Sequence, residues 1–172
     1  MNREISAKGG SAFGGKKINY FRFGVSLSVP LLAGFLGSIF TRTSVSNWYL
    51  ILLKPTLNPP SWVFGPVWTL LYILMGISLY LIWQKKEEGR KIFWAVYIFY
   101  IQLLFNIIWS ILFFSMRTPE FALWEIFFLW VLIFLNIIAF ARISKKAAWL
   151  LVPYLAWVTF AIYLNWWIFV LN

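Results

Sequence analysis

The sequence predicts an all-α membrane protein, a bundle of five transmembrane helices with a long first loop. Three observations carry this. Mean hydropathy is +0.80 and 12% of the residues are charged, against roughly 25% in a soluble domain. So much apolar surface would leave large exposed patches in water, which soluble monomers avoid. Second, five continuous apolar runs reach the ~20 residues that a spanning helix needs. They do not alternate, so helices are favoured over barrel strands. Third, the basic residues cluster in the tail and the connections between runs.

The elements follow in chain order. Residues 1–19 are Gly- and Lys-rich, and a disordered basic tail is expected. The five-helix domain then occupies 20–172. The first run covers 20–41, with a kink predicted at Pro30. Residues 42–64 hold Trp48, Tyr49, Lys54, Pro55, Pro59, Pro60 and Trp62. They are too apolar for a solvated loop, and a partly ordered flap in the interface or over the bundle mouth is expected. The second helix is predicted over 65–84, with Pro66 near its start, where proline is tolerated. A charged turn at 85–91 leads to the third helix, 92–116. Pro119 announces the fourth, 121–141. Arg142, Lys145 and Lys146 precede the fifth, 147–171, with Pro153 near its start.

With five spans, the N-terminus and the second and fourth connections share a side. That side carries twelve Lys and Arg residues; the other has Arg42, Lys54 and Arg117. The bias predicts a cytoplasmic N-terminus in a bacterial cell membrane; a eukaryotic chain would suit the mitochondrial outer membrane. A net charge of +10 would suggest nucleic acid in a soluble protein. Here it reads as topology and attraction to anionic membrane lipid, with no nucleic acid partner expected.

Cysteine and histidine are absent. Disulfides, thiol nucleophiles, His-based acid–base catalysis and His-ligated haem iron are thereby excluded. Aspartate is absent and only five glutamates occur, so carboxylate pairs and metal cages lack raw material. No metal and no required cofactor are expected.

Polar groups inside hydrocarbon need a partner or a cavity. The third helix places Gln102, Asn106 and Ser110 on one face at intervals of four; inter-helix glue and ligand contact both fit. The second helix spaces Trp68, Tyr72 and Gly76 likewise, and the fifth Pro153, Trp157, Ala161 and Asn165. A flat aromatic above a small residue leaves room for a flat ligand; close helix packing is the alternative. Glu125 is the one acid inside a span, where snorkelling or an internal bond is the plainer reading. Trp48, Trp83, Trp94, Trp149 and Trp166 are assigned to the interfacial belt.

Three ordered blocks carry a resemblance. The first runs Trp48-Tyr49, Lys54-Pro55, Pro59-Pro60, Trp62, Phe64-Gly65-Pro66, Trp68, Leu71-Tyr72 and Gly76. The second is Gln102-Leu103, Asn106, Trp109-Ser110 and Phe113-Phe114. The third is Ala148, Leu151-Val152-Pro153-Tyr154, Trp157, Ala161 and Leu164-Asn165. Together they resemble the tryptophan-rich sensory protein family, also called translocator proteins or peripheral benzodiazepine receptors. The resemblance spans roughly residues 20–172.

It implies a five-helix membrane protein whose first loop covers a pocket. It also implies binding of porphyrins such as protoporphyrin IX, of cholesterol-like lipids and of benzodiazepine-site drugs. By motif match the pocket residues would be Tyr49, Pro59, Trp68, Asn106, Trp157 and Ala161. Trp68 and Trp157 would be the tryptophans of any light-dependent porphyrin breakdown. Three departures stand out. Thr56-Leu57-Asn58 lacks the aromatic often found between Lys-Pro and Pro-Pro. No basic residue follows Tyr163, so the C-terminal cholesterol motif is absent. The third helix lacks the small-residue pattern of family dimers, while the first offers Ala33 with Gly37 and Gly34 with Ser38, which leaves a homodimer open. The expected function is a receptor for porphyrins or related flat, lipid-like molecules, with a sensory or tetrapyrrole-homeostasis role. Transport of small amphipathic molecules, light-dependent porphyrin degradation and a scaffold role are the alternatives.

Overall fold

A computed structural model describes residues 19–85 and 89–172. Residues 1–18 of the expected 1–19 tail and the middle of the charged turn, 86–88, lie outside them. The described residues form helices without strands: α1 (Tyr20–Val45), a short α2 (Trp48–Ile51), α3 (Ser61–Trp83), α4 (Gly89–Ser110), α5 (Pro119–Ala141) and α6 (Lys145–Leu171). α4 runs on into a π-helical turn, Ile111–Ser115. Five of these elements are long and apolar enough to cross a membrane.

The helix ends follow local chemistry. Asn19 caps α1 by accepting from the Arg22 amide at 3.0 Å, and Ser144 caps α6 through the Ala147 amide; each satisfies one of the orphan donors of a first turn. Pro119 begins α5, where its missing N–H costs nothing.

Several boundaries depart from the sequence reading. α3 begins at Ser61 rather than 65, and α6 at Lys145 rather than 147. Pro66 and Pro153 consequently lie inside their helices. α1 continues to Val45, four residues past the expected end. The π turn closes with Arg117 in the left-handed region at φ 56°, where the Thr118 amide and hydroxyl both donate to the Leu112 carbonyl at 3.0 Å.

The long helices form a closed ring, α1 against α3, α3 against α6, α6 against α5, α5 against α4, and α4 against α1. Neighbours α1 and α3 are antiparallel. Cβ positions built on Gly76 and Gly34 would strike Leu27 and Tyr72 respectively. Arg22 donates to the Trp83 carbonyl at 3.2 Å, tying the start of α1 to the end of α3. That end of the bundle gathers Arg22, Lys85, Arg90, Lys91, Arg142, Lys145 and Lys146, and is called the basic end below.

Toward the basic end the interior is solid. Leu79, Ile82, Phe99, Ile133, Phe140 and Leu151 are fully buried, and Phe99 stacks on Phe140 at 5.9 Å. Ser78 donates to the Ala147 carbonyl at 2.7 Å and Asn136 to that of Ala95 at 2.8 Å, so these two side chains close onto backbone. At the opposite end the ring is hollow, and the 46–60 segment lies over the hollow.

Candidate functional site

The hollow is a cavity of about 570 Å³, within the 300–1,000 Å³ typical of small-molecule sites. Four helices and the lid supply its wall. α3 contributes Phe64, Trp68 and Tyr72, α4 Asn106 and Trp109, α6 Trp157, Ala161 and Asn165, α1 one face that includes Phe35, Ser38 and Arg42, and the lid Tyr49.

The aromatic wall is internally braced. Trp68 stacks on Tyr72 at 5.6 Å with planes 28° apart and meets Tyr154 edge-on at 6.1 Å. Trp157 meets Phe64 edge-on at 6.0 Å. Trp109 stacks on Phe113 at 5.1 Å. Such pairs favour offset-stacked and edge-to-face geometry because of the ring quadrupole. Each tryptophan keeps part of its surface on the cavity.

The floor is a hydrogen-bonded triad. The Tyr72 hydroxyl donates to Asn106 Oδ1 at 2.5 Å, and Asn106 Nδ2 donates to the Tyr154 hydroxyl at 3.0 Å. One asparagine thus joins α3, α4 and α6 and also faces the cavity. A second brace lies nearer the lid. Trp109 Nε1 donates to Asn165 Oδ1 at 3.1 Å, and Asn165 Nδ2 to the Pro119 carbonyl at 2.8 Å.

The lid, residues 46–60, is held at two points, and the end of α1 is pinned beside it by Ser44. Tyr49 is buried against Phe113 and Phe114, and its hydroxyl donates to Asn58 Oδ1 at 2.8 Å. Burial raises the Tyr49 hydroxyl above its ordinary pKa, with the Asn58 bond acting in the opposite sense. Ser44 donates to the Phe114 carbonyl at 2.5 Å. Asn172 accepts from the Leu53 amide at 3.0 Å and donates to the Leu53 carbonyl at 3.1 Å. The π turn widens the helix where Phe113 and Phe114 meet the lid, and π bulges recur at functional sites.

Of the six residues singled out in the sequence, Tyr49, Trp68, Asn106, Trp157 and Ala161 line the cavity, and Pro59 does not. Its carbonyl instead accepts from Asn58 Nδ2 at 3.0 Å, behind Tyr49. Gly76 is a packing residue: a Cβ there would sit 2.8 Å from Leu27 Cα. Ser110 lines the cavity with Asn106, whereas Gln102 lies in the solid half.

Glu125 neither snorkels nor bonds internally. It is 8% exposed, and neither carboxylate oxygen has a hydrogen-bond partner among the described residues. Trp48 belongs to the lid packing, edge-on to Phe113 at 5.7 Å, rather than to an outer belt. Arg42 reaches the cavity mouth. Lys54 does not; its ammonium sits 4.7 Å over the Tyr49 ring. The wall also uses Phe64, Trp109 and Asn165, whose signal was their place among the polar and aromatic positions one helical turn apart.

Comparison with known proteins finds relatives of this chain. The profile of the TspO/MBR family matches residues 26–171. A tryptophan-rich protein TspO of Chlorobaculum tepidum is 48% identical over 85% of this chain and 92% of its own length. One of Archaeoglobus fulgidus is 43% identical over 90% of this chain and 99% of its own. The translocator protein of Homo sapiens is 38% identical over 79% of this chain and 81% of its own. Five apolar spans and a family match across almost the whole bundle lead to one statement: this chain is a multi-pass integral membrane protein and belongs to the TspO/MBR family.

Proposed function

We propose that the chain is a membrane receptor for flat, amphipathic tetrapyrroles of the protoporphyrin IX kind, with a sensory or tetrapyrrole-homeostasis role. The observation that carries this is a single cavity walled by Trp68 and Trp157, floored by Asn106 and opening beside Arg42. Aromatic faces accept a flat macrocycle by stacking. An amide with unused hydrogen-bonding capacity can meet a pyrrole nitrogen or a carbonyl. A guanidinium matches the carboxylate fork of a propionate. With neither histidine nor cysteine in the chain, an iron-free macrocycle suits the site better than ligated haem. The name of a Cereibacter sphaeroides relative, tryptophan-rich sensory protein, 37% identical over 69% of this chain, agrees with a sensory role. The test is a titration of purified protein with protoporphyrin IX, followed by tryptophan quenching. Saturable quenching that weakens in Trp68→Phe and Trp157→Phe supports the reading. Equal behaviour of these variants and Trp94→Phe, which is exposed far from the cavity, would refute it.

A further inference from the structure

We infer that the cavity loads sideways, from the hydrocarbon of the leaflet at the lid end, through a gap between α1 and α3. The inference rests on the binding reading above and adds its route.

The gap follows from how α1 leans. On the basic side α1 and α3 are zipped, since Gly76 meets the Leu27 backbone and Gly34 meets the Tyr72 ring. Beyond Gly34, α1 turns its contacts to α4 and the π turn. A Cβ on Gly37 would lie 3.2 Å from Ser110 Oγ, and Ser44 bonds the Phe114 carbonyl. α3 is left without that neighbour. A Cβ on Gly65 meets nothing within 4 Å, although Gly65 lines the cavity.

The two edges of the gap line the cavity and are exposed on the outside of the bundle. On α1 they are Phe35 and Ser38, with Phe35 63% exposed; on α3 they are Gly65 and Thr69. Their depth sets what faces them. Arg42 ends the first span. Phe35, just past the Gly34 contact, lies seven residues earlier, about 10 Å at ~1.5 Å per residue, or a third of a hydrocarbon core about 30 Å thick. The gap therefore opens within one leaflet and reaches its interface.

Its polar groups suit that medium. The hydroxyls of Ser38, Thr41 and Thr69 donate to Phe35, Gly37 and Gly65 carbonyls of their own helices at 2.7, 3.0 and 2.9 Å. None of these three hydroxyls is left unbonded toward lipid, where an unsatisfied group costs several kcal/mol. Over the water-facing mouth, by contrast, the lid is latched by Tyr49 and by Asn172. A flat molecule with an apolar body and a carboxylate edge already lies in a leaflet with its charge at the interface. It slides between Phe35 and Gly65 without inverting, and its carboxylate arrives at Arg42.

The absence of cysteine makes a bridging test clean. Ser38→Cys and Thr69→Cys are introduced together, and the full chain is purified, reconstituted in vesicles and bridged by a bifunctional thiol reagent about 10 Å long, comparable with the spacing of packed helices. The same variant capped with a monofunctional reagent controls for bulk. Stopped-flow mixing with protoporphyrin IX reads association, and transfer to acceptor vesicles reads dissociation. Bridging the empty protein is expected to slow association at least tenfold relative to the capped variant, and bridging the loaded protein to slow dissociation as much. Unchanged rates after bridging would overturn the route alone. Absence of saturable porphyrin binding by the wild-type chain would overturn the reading of the cavity and the route with it.

Discussion

Replacing Asn106 by leucine separates the two duties of the cavity floor. Leucine keeps the branched outline of asparagine and is larger, so no void forms. Two hydrogen bonds vanish, from the Tyr72 hydroxyl and to the Tyr154 hydroxyl. Intramembrane hydrogen bonds average about 0.6 kcal/mol each. A buried polar group left unpaired costs more, about 1–3 kcal/mol. Tyr154 is fully buried and Tyr72 is 7% exposed, so the orphaned hydroxyls dominate and the loss is about 1–3 kcal/mol of unfolding free energy. The bland expectation for a ligand contact, an unaltered ligand-free protein, is therefore replaced by a destabilised one. A triple variant adds Tyr72→Phe and Tyr154→Phe. It leaves no orphan, and exchanging all partners for apolar groups is nearly neutral. The triple variant should regain most of the lost stability in thermal or SDS unfolding, while porphyrin affinity stays reduced about 2–12-fold, one hydrogen bond's worth. A triple variant no more stable than Asn106→Leu would refute the account of the floor.

Glycine substitutions should part by position. Gly76→Ala is expected to cost about 1–3 kcal/mol by overpacking the helix contact, whereas Gly24→Ala, with open space around it, should gain about 0.5–1 kcal/mol from helix propensity; unfolding midpoints decide. Asn172→Ala removes the latch on Leu53, and the 46–60 segment should exchange amide protons faster while the α3–α6 core does not. Single cysteines at positions 10 and 172 should label from opposite faces of the membrane with an impermeant reagent; labelling from the same face would contradict five spans.

Spans were legible because the bilayer enforces them. Roughly 20 apolar residues are needed whatever the fold, so hydropathy located all five helices within a few residues. Boundaries slipped where apolar and polar cues conflict. Ser61–Phe64 precede a proline and follow Pro59-Pro60, which suggests coil, yet Pro66 sits early enough in α3 to forfeit only the bond to Trp62. Nothing in Ile111–Ser115 distinguishes a π turn from an α turn, because the register change answers to the lid packed against Phe113 and Phe114. The cavity floor was half legible. Spacing put Gln102, Asn106 and Ser110 on one face, but only the tertiary positions of Tyr72 and Tyr154 separate the cavity residue Asn106 from Gln102. The spacing that placed Trp68 left Gly76 open between ligand space and close packing, because a missing side chain looks alike whether a ligand or a neighbouring backbone occupies the room. The Asn172–Leu53 latch joins residues 119 positions apart and left no local trace.

The bundle divides its stability along its length, and the division explains the site. Toward the basic end, side chains such as Leu79, Phe99 and Phe140 fill the ring, and helix backbones meet at Gly76 and Leu27. A bilayer offers no hydrophobic drive between helices, so such close contact does the holding. Toward the lid end the same helices must part to make room. There the ring is held by polar clasps, Asn106 between two tyrosines, Asn165 between Trp109 and Pro119, Ser44 on Phe114. These span the hollow at points instead of filling it. A clasp can hold helices apart at a fixed distance, which packing cannot do without closing the cavity. This accounts for Asn106 on α4 and Asn165 on α6 at a depth where each needs a partner. It also predicts that filling the hollow should stabilise the protein while abolishing binding. Ala161→Phe, placed on the cavity wall, is the direct case. A higher unfolding temperature with lost porphyrin quenching is expected, and a variant that binds porphyrin normally would mean that the ligand sits elsewhere.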